Sequence, residues 1–270
     1  MREERTWLEI AEGLAAEAAA TVMTFFRKDL RTSQKADASP VTEADLASDR
    51  LLRAGLRKNF PNHAVLTEEN GLDGDAKSEH IWLIDPLDGT KAFAKGISGF
   101  CVMVALLRQG RPLLGVVVDP LEGRTYRALR GLGASLSAGG ATVELQVSDR
   151  RDFSKMPLIV STGFPEAPLK KIEASFGSPL LPPINSVGIK VGLLVRGEAD
   201  LYINHHPVSY WDTAAPLVIL EEAGGTFTAL DGRPLDYAMV SPFGHGHKTL
   251  ASNGRRHVEA VERLKGSGLE

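Results

Sequence analysis

Residues 81–93 read Ile-Trp-Leu-Ile-Asp-Pro-Leu-Asp-Gly-Thr-Lys-Ala-Phe. Four consecutive apolar residues run into two aspartates, Asp85 and Asp88, and then into Gly89 and Thr90. Such a run suits a short strand buried on both faces, which ends in charge only where something holds that charge. Pro86 fixes the turn and removes one backbone donor, so the two side chains and the Leu87 carbonyl can converge on one point. Three oxygens at a strand end suit a hard cation, magnesium above all. Gly89 and Thr90 then open a helix whose first N–H groups form a seat for phosphate. Asp-Pro and Asp-Gly are also ordinary turn dipeptides, so taken alone the stretch reads as well as a plain turn.

Three further acidic positions carry the same double reading. Glu68-Glu69 follows the short apolar run Ala64–Leu66 and reads in isolation as a solvated loop. Asp212, in Trp-Asp-Thr-Ala-Ala, sits at a helix start, where it can serve as a cap or a dipole partner. Thr42-Glu-Ala-Asp45 has the pattern of a capping box, in which Asp45 satisfies the Thr42 backbone. His205-His206 lacks cysteines or spaced partners and makes a poor zinc site.

The rest of the chain is organised as mixed α and β elements. Trp7, Ile10, Ala11, Leu14, Ala18, Val22 and Phe25 predict an amphipathic helix over 6–27, followed by a polar loop over 28–40. A second helix is expected from Thr42 to about Lys58. Apolar runs at 64–66, 81–84, 101–107 and 113–118 predict strands, the last two forming an antiparallel hairpin, with more short strands to about Val147. Later, a strand at 158–164, a helix at 187–197, a strand at 200–203 and a helix from Trp211 to Gly224-Gly225 are expected. No strict βαβ repeat is present, so the expected class is α+β layers, with halves 1–150 and 151–270 meeting near 148–157. A net charge of −3 argues against a nucleic-acid polymer or a membrane surface as partner. The single Cys101 cannot make an internal disulfide, and no leader or membrane-length apolar run is visible. Those features together predict a cytoplasmic protein and leave a homodimer open.

The order and spacing of these motifs are more specific than any one of them. Asp-Pro-Leu-Asp-Gly-Thr at 85–90, with Glu-Glu at 68–69 before it and Trp-Asp-Thr-Ala-Ala at 211–215 after it, resembles the inositol monophosphatase superfamily. Pro-Val-Thr-Glu-Ala-Asp at 40–45 and Glu-Glu-Ala-Gly-Gly at 221–225 extend the resemblance over nearly the whole chain. Haloacid dehalogenase phosphatases also carry Asp-Gly-Thr, but one residue separates their aspartates and here two do. The resemblance implies a layered α/β/α/β/α sandwich and magnesium-dependent, commonly lithium-sensitive hydrolysis of a phosphate monoester, with two or three ions. By matching position it implies Glu69, Asp85, Asp88, Asp212 and the Leu87 carbonyl as metal ligands. It makes Asp45 and Thr90, with Glu69, the groups that orient the attacking water, and the amides of Gly89 and Thr90 the phosphate seat. Lys35 falls where the family often has a lysine near its most loosely bound metal. The residue types suit that chemistry, because an anionic ester repels hydroxide until cations neutralise it.

Three features bear on the substrate. Inositol monophosphatases usually have a carboxylate seven residues before the Trp-Asp aspartate, and here that position is His205. His-His-Pro-Val-Ser-Tyr-Trp-Asp at 205–212 is similar to the bisphosphate nucleotidases. So are Gly-Thr-Lys-Ala-Phe at 89–93 and Ser-Val-Gly-Ile-Lys at 186–190. Lys190 would suit a second phosphate, or else it is a solvated helix lysine. The leading expectation is removal of the 3′-phosphate of 3′-phosphoadenosine 5′-phosphate. An inositol-1-phosphate or sugar-phosphate phosphatase is the alternative, and a catalytically silent metal-binding regulator of the same fold is the third reading.

Overall fold

The computed structural model describes residues 2–27, 32–34 and 40–269. Helix α1 (Arg2–Phe25) is followed by β1 (Thr32–Gln34) and β2 (Pro40–Thr42), which pair antiparallel where the sequence suggested only loop. Lys35 lies outside the described residues. Helix α2 (Glu43–Asn59) begins at the capping box, with Thr42 Oγ1 accepting the Ala44 N–H and Asp45 accepting from the Thr42 backbone.

An eight-stranded sheet comes next. It is built from β3 (Ala64–Thr67), β4 (Gly71–Asp73) and β5 (His80–Asp88), then, after the short helix α3 (Thr90–Ala94), β6 (Cys101–Arg108), β7 (Arg111–Asp119), β8 (Arg124–Leu129), β9 (Ala134–Ala138) and β10 (Ala141–Leu145). Its order is β10-β9-β8-β7-β6-β5-β3-β4, antiparallel throughout except for β3 beside β5. The predicted hairpin is β6–β7. The second half supplies β11 (Leu158–Val160), α4 (Glu166–Phe176), α5 (Val187–Val195), β12 (Leu201–Ile203), α6 (Tyr210–Glu222), β13 (Thr226–Ala229), β14 (Thr249–Ser252) and α7 (His257–Leu264). Its four strands form a sheet in the order β11-β12-β14-β13.

The layers follow from strand parity. Along β6, Val102, Val104 and Leu106 join the core under α1 and α2, while Cys101, Met103, Ala105 and Leu107 join the core under α5 and α6. With both faces buried, the run reads as continuously apolar. Helices α1 and α2 therefore cover one face of the large sheet, and α5 and α6 are sandwiched between it and the small sheet. Helices α4 and α7 close the outer side around Phe153, Leu158, Ile172 and Leu264. This is the expected α/β/α/β/α sandwich, with one core joining both halves. The middle layer is tight: a Cβ on Gly115 would lie 2.6 Å from the Ala215 carbonyl oxygen of α6.

The small sheet carries an acid-sensitive residue. His257 is buried, with Nε2 2.8 Å from Thr228 Oγ1 and Nδ1 2.8 Å from Ser252 Oγ. Burial pushes it down to about 4. The unfolded chain takes up a proton below the ordinary histidine value of about 6.5, while the folded chain resists until about 4. The contribution of His257 is thus complete above pH 6.5 and lost as pH falls towards 4. His257→Gln is expected to flatten the loss of stability between pH 7 and pH 5 by roughly 2 kcal/mol. Urea midpoints at the two pH values measure it, and parallel curves for wild type and variant would refute it.

Candidate active site

Alternation along β5 puts Ile81 and Leu83 under α5 and α6, and Trp82 and Ile84 under α1 and α2. Asp88 lies three positions after Asp85, so a regular strand would turn them to opposite faces. The ladder slips between them: Asp85 pairs with Met103 and Asp88 with Cys101, three steps on β5 against two on β6. That extra residue is a bulge, and it returns Asp88 to the face that carries Asp85. Ser48 of α2 donates to the Pro86 carbonyl at 2.8 Å and holds the bulge, while Asp85 Oδ1 accepts the Leu87 N–H at 3.0 Å. The strand ends in two aspartates because a bulge aims both at the same place.

The N-termini of α2 and α6 deliver the other acids. Asp212 Oδ2 accepts the Ser209 N–H at 2.7 Å in a second capping box, so cap and site residue are the same group. Asp45 is likewise both. Its Oδ2 accepts the Thr42 N–H at 2.8 Å, and its Oδ1 lies 3.0 Å from Thr90 Oγ1. The Thr90 hydroxyl also lies 3.0 Å from the Leu87 carbonyl. With one proton it can donate to only one of the two, which leaves its oxygen able to accept from a third partner.

Glu68, not Glu69, faces this cluster. The Glu68 N–H donates to the Ile84 carbonyl at 3.2 Å, extending the β3–β5 pairing by one residue. Ala64 and Leu66 lie under α5 and α6, so parity turns Glu68 to that face. Glu68 lines the cavity with Gly89 and Thr90, and its charge is felt at Asp45, Asp85 and Asp212; Glu69 does not line it. Strand parity was the available signal.

The acids repel one another. Burial, then Glu68, Asp88 and Asp212, push Asp85 well up. Burial followed by Asp88 and Glu68 raises Asp212 to about 8. Asp88 is raised by burial, against hydrogen bonds from Ser186 and Gly188 and the charge of Lys190. Among the described residues no three of these side chains are drawn close enough to close on an ion. Burial and neighbouring charge favour the protonated forms of Asp85 and Asp212, and with Asp88 and Glu68 beside them they nonetheless form an oxygen-only set whose repulsion a hard divalent cation relieves. The set fits magnesium, which Glu68, Asp85, Asp88, Asp212 and the Leu87 carbonyl would hold.

Beside the acids lies a cavity of about 520 Å³. Gly89, Thr90, Lys91 and Lys95 form one wall, and Ser161, Asn185, His205 and His206 the other. Gly89 caps α3 with φ at 90°, and a Cβ there would meet the Gly99 carbonyl oxygen at 2.3 Å, so only glycine admits this turn. The His205 and His206 rings stack with centroids 4.5 Å apart, and burial lowers both. Lys190 corrects both sequence readings. It is wholly buried rather than solvated, and it does not line the cavity. Its Nζ donates to Ser161 Oγ at 2.6 Å and to the Asn185 carbonyl at 3.1 Å, and lies 4.4 Å from the centre of the Tyr202 ring. Burial brings it down to about 7, opposed by Asp88 and Asp212. Ser161 and Asn185 were not singled out from sequence, because nothing local marks a residue that meets the site only through the fold, whereas Lys91 lies within the Gly-Thr-Lys-Ala-Phe stretch itself.

A five-layer sandwich with an acid cluster beside a lysine-lined cleft suits a phosphatase. The inositol monophosphatase family model matches residues 3–263, and the chain belongs to that family. It is 36% identical over 219 residues to the 3′(2′),5′-bisphosphate nucleotidase CysQ of Escherichia coli K12, covering 80% of this chain and 87% of that protein. The inositol-1-monophosphatase of Synechocystis is 32% identical over 269 residues, covering 96% and 89%. Among solved structures, the inositol monophosphatase from Anabaena superposes with a TM-score of 0.80 at 30% identity, covering 98% of this chain and 97% of that one. The family is generally metal-dependent. Among the described residues, no helix is long and apolar enough to cross a membrane.

Proposed function

We propose that the chain removes the 3′-phosphate of 3′-phosphoadenosine 5′-phosphate, with two or three magnesium ions held by Glu68, Asp85, Asp88, Asp212 and the Leu87 carbonyl. The observation that carries this reading is the cationic setting of the cleft. Lys91 and Lys95 stand one helical turn apart on its wall, and Lys190 lies beneath Ser161 and Asn185. A bisphosphate keeps a second anionic group after hydrolysis, and cations on the substrate side accommodate it. An inositol ring instead wants acceptors for neutral hydroxyls, and His205 replaces the carboxylate that would supply one. The likeness to CysQ adds to the reading. When bound, magnesium supplies charge neutralisation and activation of water. The amides of Gly89 and Thr90 seat the phosphate, and Asp45 orients Thr90 so that its oxygen accepts from the attacking water.

The test is kcat/KM on 3′-phosphoadenosine 5′-phosphate and on inositol 1-phosphate, side by side in magnesium. The bisphosphate is expected to be preferred. Lys91→Met, on the cleft wall, should lower kcat/KM on the bisphosphate by about tenfold or more, the scale of one charge-assisted contact, and affect inositol 1-phosphate less. A preference for inositol 1-phosphate would replace this reading with the one the Synechocystis relative suggests. No magnesium-dependent phosphate release from either would leave the silent regulator.

A further inference from the structure

We propose that Ser186 is a positioning residue for Asp88, locking one carboxylate oxygen from the second half of the chain so that the other is presented to the cation. Ser186 is wholly buried and caps α5, accepting the Ile189 N–H at 3.0 Å. Its hydroxyl donates to Asp88 Oδ2 at 2.7 Å. One lone pair serves the helix and the single proton serves the aspartate, so the two duties do not compete. The Gly188 N–H, in the first turn of the same helix, donates to the same oxygen at 3.0 Å. The Cys101 thiol lies 3.3 Å from Ser186 Oγ and 3.7 Å from that oxygen.

All these donors converge on Oδ2. Asp88 follows the bulge, where the ladder no longer dictates its side-chain rotation, and Asp85 and Asp212 nearby repel its charge. Without the grip of α5, repulsion favours turning the carboxylate away from its neighbours. Ser186 stands 98 residues further along the chain, so the fold alone brings the two together. The sequence marks Ser186 only as a helix cap. Groups that orient a metal-holding side chain typically change metal affinity by about 10–100-fold when removed.

The inference rests on Asp88 holding magnesium, and the experiment separates the two claims. Magnesium binding to the metal-free full-length chain is measured by calorimetric titration, with melting temperatures recorded across the same magnesium series. Wild type, Ser186→Ala and Ser186→Thr are compared. Ser186→Ala is expected to weaken magnesium binding about 10–100-fold and to shrink the magnesium-induced rise in melting temperature. Ser186→Thr, which keeps the hydroxyl, should restore both. If Ser186 is only a helix cap, metal-free and loaded melting temperatures of Ser186→Ala fall in parallel with affinity unchanged, and the proposal is overturned. If wild type itself shows no magnesium binding, the metal reading fails and takes this proposal with it.

Discussion

Asp85→Asn is expected to reduce magnesium-dependent turnover by orders of magnitude, on the scale of 10³-fold, while making the metal-free protein more stable. Asparagine keeps the shape, and its Oδ1 can still accept the Leu87 N–H that Asp85 takes at 3.0 Å. What it removes is one negative charge from a site where burial, Glu68, Asp88 and Asp212 already push Asp85 well up. A charge held there at pH 7 costs stability in the absence of a cation, so its removal should raise the metal-free melting temperature. The same charge is what a divalent ion needs, and groups aimed at developing charge are worth about 10²–10³-fold in rate even singly. The opposite signs distinguish a ligand from a structural residue, whose loss would lower both quantities. Near wild-type turnover at saturating magnesium would remove Asp85 from the metal set.

Asp45→Asn separates two duties that one side chain performs. The structure assigns Oδ2 to the capping box and Oδ1 to Thr90. An asparagine has one acceptor oxygen for these two places. If that oxygen stays at the cap, its NH2 group faces Thr90, and the Thr90 proton must turn to the Leu87 carbonyl at 3.0 Å. The hydroxyl then receives a proton where it should offer a lone pair. Turnover is expected to fall by about 10²–10⁴-fold, the range of lost general acid–base assistance. Stability should fall by about 1 kcal/mol or less, because a cap oxygen is retained and a buried charge with a raised pKa is removed. Single-turnover rates with matched urea denaturation measure both, and a stability loss with turnover intact would make Asp45 a cap alone.

Local sequence was a good guide wherever a residue's role depends on its immediate neighbours. The capping boxes at Thr42–Asp45 and Ser209–Asp212 follow from spacing within one helical turn. The apolar run into Asp85 and Asp88 marked a strand end, and the hairpin after it follows from two apolar runs around a turn. Sequence left the two readings of Asp45 and Asp212 as alternatives, whereas in the folded chain each carboxylate caps its helix and also sits among the acids at the end of β5.

Strand parity and burial could not be taken from adjacency. Of two neighbouring glutamates, Glu68 lines the cleft, because its N–H continues the pairing of β3 with β5 and parity turns it to that face. Lys190 looks like any helix lysine in sequence, but α5 is clamped between two sheets, so its stem and ammonium are enclosed against Tyr202 and Ser161. The grip of Ser186 on Asp88 spans 98 residues. Periodicity and capping act over a few residues and are written in them. Which side chains share a buried space is set by how sheets and helices pack, and in this chain only tertiary structure decided it.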